Sequence, residues 1–245
     1  MGAAVDRRTL MKTIAVGVLA VMCRPAAAGA DPRPVVPGGR VPPPTGVLTR
    51  LPGTGNLLAL TVDDGCSVEV VRAFAAFCRD SGTRMTLFVN GANSSWTVNA
   101  PLLRPMVDSG QVQLGNHTWS HPYLTRVSAA AATDQIKRNK DFLSNTYGVD
   151  GTPYFRPPYG VHNAATDKIA ADLGYPTITM WSATIGDSRV INEQQLIGFA
   201  RQAFQPQQIV LGHANLPPIT RTYPQLLDII ATRGLQTVTL NDVFA

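Results

Sequence analysis

Short apolar runs alternate with longer amphipathic stretches from residue 53 to the end of the chain. The runs are rich in β-branched and aromatic residues, a pattern that predicts buried strands. In the longer stretches apolar residues recur at helical spacing, and several stretches end at a glycine, which predicts helices. The predicted strands are 57–62, 85–89, 112–114, 154–155, 177–181, 208–211 and 235–240. The predicted helices are 68–80, 100–109, 128–147, 163–173, 192–203 and 223–233.

This alternation predicts successive βα units and therefore a mainly parallel sheet. About seven strands are enough to close, or nearly close, such a sheet into a barrel. The chain of 245 residues is long enough for one large α/β domain with a sizeable core, or for two small domains. We predict a single α/β domain over residues 53–245.

The first 30 residues have the pattern of an export signal. A segment around Arg7 and Arg8 resembles a twin-arginine motif, and an apolar run over 13–23 and small residues over 26–30 follow it. The apolar run is well short of the ~20 residues that a membrane-spanning helix needs. We therefore predict cleavage near residue 28 or 30, export to the medium or the cell envelope, and no stable membrane span in the mature protein. A plain secretory signal or a membrane anchor is the alternative.

Residues 31–52 are rich in Pro and Gly and are predicted to form an extended linker outside the core. Removal of residues 1–30, which hold four basic residues and one acidic residue, changes the formal net charge from +5 to +2. No block of Lys and Arg remains, so a nucleic-acid partner is not indicated. We expect the mature protein to be a monomer.

Two cysteines, Cys66 and Cys78, remain after that removal. If residues 68–80 are helical, the two thiols are separated by roughly 18 Å along the helix axis. A disulfide cannot span this distance. We predict that both thiols are reduced and buried, although pairing is the usual expectation for an exported protein.

Polar residues cluster just past the C-terminal ends of five predicted strands. They are Asp63, Asp64, His117, His121, Arg156, Asp187 and His213. In parallel α/β barrels this rim is where the chemistry is located. The placement predicts one active site built from distant segments.

Two acids and two histidines in this set suggest a metal site. Adjacent side chains on a strand point opposite ways, so Asp63 and Asp64 can have different roles, one binding a metal and the other handling a proton. His117 and His121 are spaced to meet on one helical turn. Two neutral histidines and one carboxylate leave room for water, as catalytic zinc requires. Taken singly, each pair could be structural, and a mononuclear iron oxygenase uses the same ligand types.

Four segments in chain order resemble the motifs of the polysaccharide deacetylase family, carbohydrate esterase family four. They are TVDDG at 61–65, NHTWSH at 116–121, RPPYG at 156–160 and LGH at 211–213. The resemblance covers about residues 54–245. It implies a distorted (β/α) barrel and the metal-dependent removal of acetyl groups from N-acetylated or O-acetylated sugars.

Carried over by position, the resemblance implies that Asp64, His117 and His121 bind a divalent metal and that Asp63 is the general base. Zinc is the metal expected first, and cobalt, nickel or manganese also suits these ligands. A carboxylate beside a metal-bound water can accept its proton, which agrees with this division. Arg156 is then the partner of Asp63, although it could also form only a surface ion pair.

The resemblance implies further roles at the same rim. The main-chain N–H of Tyr159 would lie in the oxyanion hole, His213 would be the general acid, and Asp187 would support His213. Trp181 and Leu211 would line the pocket for the acetyl methyl group. Each of these residues could instead be only structural, as part of a stiff turn or of the core.

The fourth motif departs from the family pattern, which is often Trp-Ser-x-Asp-x-x-Asp-Trp. Residues 181–188 read WSATIGDS, so Thr184 and Ser188 replace an Asp and the last Trp. The departure leaves the mechanism intact and the substrate preference open.

We therefore predict a metal-dependent N-deacetylase whose partner is an acetylated glycan, such as a chitin-type oligosaccharide or peptidoglycan. An O-acetyl esterase acting on xylan or another glycan would use the same residues. A non-catalytic glycan-binding protein of the same fold is an alternative of another class, and a cyclic-amide hydrolase of related fold is a further one.

Overall fold

Nine strands form one curled sheet in the computed structural model, which describes residues 34–36 and 38–245. The strands are β1 Gly46–Leu48, β2 Leu57–Asp64, β3 Met85–Val89, β4 Val112–Asn116, β5 Tyr154–Phe155, β6 Thr177–Thr179, β7 Ala183–Thr184, β8 Ile209–His213 and β9 Gln236–Val238. Eight of them follow one path in the order β1-β6-β5-β4-β3-β2-β8-β7, and β9 pairs with β2. Every pair is parallel.

The curled sheet is a distorted (β/α) barrel, which confirms the predicted fold. An antiparallel bridge between Arg50 and Gln208 joins the segment after β1 to the segment before β8. The N–H of Leu51 also donates to the carbonyl of Gln207 at 3.0 Å. These contacts bring the two sides of the sheet together. Two short strands, β1 and β7, are added to the seven that were predicted.

In the described residues, seven α-helices lie between the strands and an eighth follows β9. They are α1 Val68–Ser81, α2 Ser94–Val98, α3 Ala100–Asp108, α4 Ala129–Tyr147, α5 Ala164–Asp172, α6 Glu193–Ala203, α7 Tyr223–Thr232 and α8 Leu240–Val243. The six predicted helices are confirmed within a residue or so at each end. The predicted strand 235–240 is too long, because Thr239 and Asp242 form a capping box that starts α8. Helices α2 and α8 were not predicted, because helices of four or five residues are too short to show a helical repeat.

Local signals explain where the longer helices begin and end. The Ser67 side chain accepts a hydrogen bond from the N–H of Val70 at the start of α1, and Gly82 ends it in the left-handed conformation with φ 73°. Helix α5 begins with a capping box between Asn163 and Thr166. The helices therefore start and stop where the sequence satisfies their unpaired end groups.

Strand β2 lies in the middle of the sheet and is buried along its whole length. Alternate residues, such as Leu58 and Leu60, pack in a cluster with apolar residues of α1, while Leu57 and Ala59 pack in a second cluster that includes Phe88. Burial on both faces explains the unbroken apolar run in the sequence. The strand ends at the rim with its two acids.

The predicted linker is wrong for the part of it that follows residue 40. Strand β1 pairs with β6, Leu48 and Leu51 are buried, and Val41 forms a bridge with Phe244. Apolar residues between the prolines are enough to pack this segment on the barrel, although the composition is typical of a linker. The predicted export signal, residues 1–30, lies outside the described residues.

Both described cysteines are free thiols, as predicted. Cys78 is buried on α1, and its burial raises the pKa of the thiol to about 12. The prediction that Cys66 is buried is wrong, because Cys66 lies in the exposed loop between β2 and α1. Over the described part of the chain, no helix is both long enough and apolar enough to cross a membrane.

A buried ion pair between Arg84 and Asp242 ties β3 to α8 in two parallel hydrogen bonds of 2.7 Å. We predict that Asp242→Ala lowers the free energy of unfolding by about 3–5 kcal/mol, because it leaves the buried guanidinium without a counter-charge. Urea unfolding followed by circular dichroism measures the loss. The control is Asp141→Ala, which removes an exposed pair with Lys137 and should cost less than about 1 kcal/mol. Equal losses in the two variants would contradict the prediction.

Candidate active site

The predicted polar residues meet at the carboxyl ends of neighbouring parallel strands. Asp63 on β2 is in register with His213 on β8. Strand β4 ends at Asn116, directly before His117, and is in register there with Phe155, directly before Arg156. These strand ends share one rim, so side chains from four distant segments are brought to the same edge of the sheet.

Asp64, His117 and His121 form a compact cluster at this rim. Their candidate ligand atoms all lie within 4.8 Å of one another. Oδ1 of Asp64 is 3.3 Å from Nε2 of His117 and 3.3 Å from Nε2 of His121. The three residues that were predicted as metal ligands are therefore brought together.

The hydrogen bonds around this cluster fit a divalent metal. Oδ2 of Asp64 accepts a hydrogen bond of 2.7 Å from Asn215, whereas Oδ1 is buried and has no partner among the described residues. A buried carboxylate oxygen without a partner is costly unless a cation lies beside it. Nδ1 of His117 is 2.7 Å from the carbonyl of Arg156, so this nitrogen carries the proton and Nε2 presents its lone pair to the cluster.

The electrostatics of the cluster favour an ionised Asp64 and a neutral His121, the forms in which these side chains bind a metal. Burial alone would raise the pKa of Asp64, but His117, His121 and Asn215 outweigh it and hold this pKa well below its usual range. Burial and the neighbouring His117 lower the pKa of His121 to about 4, so this ring is neutral at pH 7. Burial also acts to lower the pKa of His117, but the two nearby carboxylates raise it. Metal binding and protonation of the His117 ring therefore compete.

The two histidines lie on a loop, so the prediction of a shared helical turn is wrong. Thr118 and His121 have positive φ values of 70° and 62°. The N–H of Thr118 donates to Oδ1 of Asn116 at 2.9 Å, and the N–H of His121 donates to Oγ1 of Thr118 at 3.1 Å. These turns curl the loop back, so the two ring centroids are 4.9 Å apart without a helix.

The prediction that Asp63 and Asp64 point to opposite faces is also wrong. Asp64 has φ 73°, which breaks the alternation at the end of β2. Nε2 of His117 is 3.6 Å from Oδ2 of Asp63 and 3.3 Å from Oδ1 of Asp64, so both acids face the same site. The carbonyl of Asp64 accepts hydrogen bonds from Trp96 and Asn93, which hold this turn in place.

Arg156 forms a buried ion pair with Asp63, with Nη1 at 2.7 Å from Oδ1. Its other polar contacts are with Oγ1 of Thr61 and the carbonyls of Thr179 and Met180, at 2.8–2.9 Å. The side chain is fully buried, which rules out the surface ion pair as its role. Because Arg156 occupies Oδ1 of Asp63, Oδ2 is the oxygen that faces the cluster.

His213 is held by Asp187 through two hydrogen bonds. Nδ1 of His213 is 2.9 Å from Oδ1 of Asp187, and the main-chain N–H of His213 donates to Oδ2 at 2.8 Å. Burial tends to lower the pKa of His213, but the hydrogen bond and the charge of Asp187 outweigh it and raise this pKa. Since Nδ1 is engaged, Nε2 is the nitrogen available for proton transfer.

The remaining predicted residues lie around this centre. Tyr159 is half-exposed, and its ring lies 4.4 Å from the ring of His121. Trp181 lies against the 156–160 loop, since a Cβ atom at Gly160 would be only 2.8 Å from its ring. Leu211 is buried on β8, in register with Thr61 and two residues before His213 at the rim. No contact of Trp181 or Leu211 with the Asp64–His117–His121 cluster is seen in the described residues.

Several supporting residues were missed by sequence reasoning. Asn215 binds Asp64, Asn93 and Trp96 hold the turn at its carbonyl, and Tyr123 stacks on Tyr159. Asn215 and Tyr123 each follow a motif histidine by two residues, which was an available signal. Asn93 and Trp96 lie in a segment without a motif, so only the tertiary structure reveals them.

The curled parallel sheet and its rim define a (β/α)-barrel protein with a candidate divalent-metal site of one carboxylate and two imidazoles. The chain belongs to the polysaccharide deacetylase family, whose sequence model matches residues 51–178. The match includes Asp63, Asp64, His117, His121 and Arg156.

Individual relatives agree with this assignment. The chain is 28% identical over 200 residues to the peptidoglycan-N-acetylglucosamine deacetylase PgdA of Listeria monocytogenes, a match that covers 78% of this chain and 39% of that protein. It is 30% identical over 162 residues to a chitin deacetylase of Pestalotiopsis sp, covering 66% of this chain and 53% of that protein. The chain thus spans less than two thirds of either relative. A family 4 pseudoenzyme of Bacillus anthracis has a similar fold, with a TM-score of 0.71, 19% identity, and 82% and 69% of the two chains covered.

Asn215 offers a test of the metal site, because its hydrogen bond leaves Oδ1 of Asp64 as the free ligand atom. We predict that Asn215→Ala weakens Zn²⁺ binding by about 10–100-fold, the usual effect of losing a residue that orients a ligand. Competition with a chromophoric chelator measures the affinity. Asn145→Ala, on the exposed face of α4, is the control and should leave the affinity unchanged. Wild-type affinity in Asn215→Ala would show that this bond does not orient Asp64.

Proposed function

We propose that the protein is a metal-dependent deacetylase of N-acetylated amino-sugar polymers, either chitin-type oligosaccharides or peptidoglycan. The observation that carries the proposal is the meeting of two proton-transfer pairs, Asp63–Arg156 and Asp187–His213, with the Asp64–His117–His121 cluster at one rim. Membership of the family supports the reaction class. The names of the two curated relatives support the choice of polymer.

Asp64, His117 and His121 would hold the metal, with zinc as the first choice and cobalt, nickel or manganese as others that suit the ligands. When bound, the ion supplies a Lewis acid that polarises the acetyl carbonyl and makes a water acidic enough to attack it. The lone pairs of both histidines are available because one ring donates through Nδ1 and the other is neutral.

Asp63 is the base that accepts the proton of the attacking water. Its Oδ1 is bound by Arg156, and its Oδ2 lies on the side of His117, where the metal and the water would be. The buried guanidinium therefore holds the carboxylate in one orientation. A fixed base within reach of the nucleophile is worth about 10²–10⁴ in rate.

His213 is the acid that donates a proton to the leaving nitrogen. Asp187 holds Nδ1, so the proton is given from Nε2, and the raised pKa keeps the ring protonated to higher pH. The main-chain N–H of Tyr159 is the proposed donor to the oxyanion, because it is the first N–H after the two prolines that follow Arg156.

Two alternatives use the same fold. An O-acetyl esterase would differ only in the leaving group, so the choice between amide and ester depends on the substrate. A non-catalytic glycan-binding protein would not need both proton-transfer pairs, and both are assembled here. Acetate release from chitooligosaccharides, peptidoglycan and acetylated xylan, each with and without a chelator, decides among the three.

A polymer of the cell envelope lies outside the cytoplasm, and we propose that the protein is exported to reach it. The support is the twin-arginine-like pattern in residues 1–30. A fusion of these residues to a reporter should leave the cytoplasm, and replacement of both Arg7 and Arg8 by Lys should retain it there. Retention of the unchanged fusion would end this proposal.

Asp63 is the proposed base and His117 a proposed metal ligand, so variants of the two residues should differ in metal content. We predict that Asp63→Asn lowers kcat by at least about 100-fold and still binds Zn²⁺, because Asp63 is not a ligand. His117→Ala should lose both metal binding and turnover. Acetate release and metal content after dialysis are measured on the same samples. Equal metal loss in the two variants would contradict the division of roles.

Asp187 sets the pH range in which His213 can donate its proton. In the wild type, kcat should fall as the pH rises through the raised pKa of His213. Asp187→Asn removes the charge that raises this pKa, so the fall should move to lower pH. Asp167→Asn breaks a similar pair with His162 outside the centre and is the matched control. A pH profile of Asp187→Asn that overlays the wild-type profile would refute this role.

A further inference from the structure

Two residues of the centre hold strained backbone conformations. His121 has φ 62° and Tyr159 has φ 60°, in the left-handed region that non-glycine residues avoid. Such a conformation is unfavourable for a residue with a Cβ atom and persists only where its surroundings hold it. One of the two is a metal ligand, and the other is the proposed oxyanion donor. Contacts with neighbouring residues must therefore hold both loops in these conformations.

The rings of these two residues contact each other and a third ring. Tyr159 lies 4.4 Å from His121 at an interplanar angle of 63°. Its ring is stacked on Tyr123, with centroids 3.9 Å apart and planes within 13°. Tyr123 follows β4 and Tyr159 follows β5, so the stack joins the two loops that carry the ligand and the donor.

Tyr123 itself is firmly anchored. The guanidinium of Arg126 lies 4.4 Å from the centroid of the Tyr123 ring. Because Tyr159 occupies one face of this ring, Arg126 covers the other. The N–H of Arg126 donates to the carbonyl of Tyr123 at 2.9 Å, and the next residue, Leu124, is buried in a cluster with Phe155. The Tyr123 ring is therefore fixed by Tyr159 and Arg126 on its two faces, and its backbone is fixed by the turn to Arg126 and by the burial of Leu124.

We propose that Tyr123 is a positioning residue of the active site, which fixes the Tyr159 loop and, through the Tyr159 ring, the imidazole of His121. The proposal rests on the proposed function for its kinetic consequence. A direct role in binding sugar is disfavoured, because Tyr159 and Arg126 cover both faces of the Tyr123 ring and leave no face for a sugar ring. Tyr123 thus acts on the reaction through two other residues.

The kinetic test compares Tyr123→Ala with Tyr123→Phe. A misplaced oxyanion donor and ligand should lower kcat by about 10–100-fold, while KM changes by less than about threefold because the ring has no free face for substrate. Tyr123→Phe keeps the stacked ring and should retain near wild-type kcat. A raised KM with unchanged kcat in the alanine variant, or a phenylalanine variant as slow as the alanine variant, would overturn the proposal.

A second readout does not depend on turnover. The visible absorption spectrum of the Co²⁺-loaded protein reports on the ligands of the metal, and Tyr123→Ala should change it and weaken Co²⁺ binding, whereas Tyr123→Phe should match the wild type. Arg138→Ala removes an exposed cation over Trp119, 4.2 Å from that ring centroid, and leaves the Tyr123–Tyr159 stack in place, so this control should keep the wild-type spectrum. A wild-type spectrum in Tyr123→Ala would overturn the proposal. If the wild type binds Co²⁺ but releases no acetate, the proposed function fails while this spectrum still tests Tyr123.

Discussion

The buried ion pair between Arg156 and Asp63 is the interaction on which the site depends. A fully buried guanidinium needs a counter-charge and hydrogen-bond acceptors, and here Asp63, Thr61 and two carbonyls at the end of β6 supply them. The same residue uses its own carbonyl to hold Nδ1 of His117. One side chain and its backbone thereby orient the proposed base and a candidate ligand together. This explains how a barrel interior can carry a charge next to a candidate metal site.

Backbone strain is concentrated at the same rim. Among the described residues, five non-glycine residues have positive φ, and four of them, Asp64, Thr118, His121 and Tyr159, belong to the site loops. The turns at Asp64 and His121 place these two side chains in the cluster, and the Thr118 hydroxyl accepts a hydrogen bond from the N–H of His121. Strand β2 beneath these loops is buried along its whole length, and packing of this kind offsets the free-energy cost of the strained conformations. The buried sheet therefore stabilises the strained loop conformations at its rim.

Hydrogen bonds from residues outside the motifs complete the centre. Asn215 occupies one oxygen of Asp64, and Asn93 and Trp96 hold its carbonyl, so the unpaired oxygen faces the two imidazoles. Asp187, which belongs to the fourth motif, supports His213 in the same way. In each case a supporting residue leaves one defined atom available for chemistry. Residues of the right type form a site only when supporting contacts of this kind fix their orientation.

The sequence by itself determined the alternation of strands and helices, the parallel barrel, and the set of polar residues at its rim, because periodicity and strand-end position are local properties. Among its errors were the opposite directions of Asp63 and Asp64, the helical turn for the two histidines, and the linker before β2. Only the tertiary structure decided these points. Positive φ at Asp64 and His121, and the pairing of β1 with β6, depend on contacts between residues far apart in the chain, which local sequence patterns do not record.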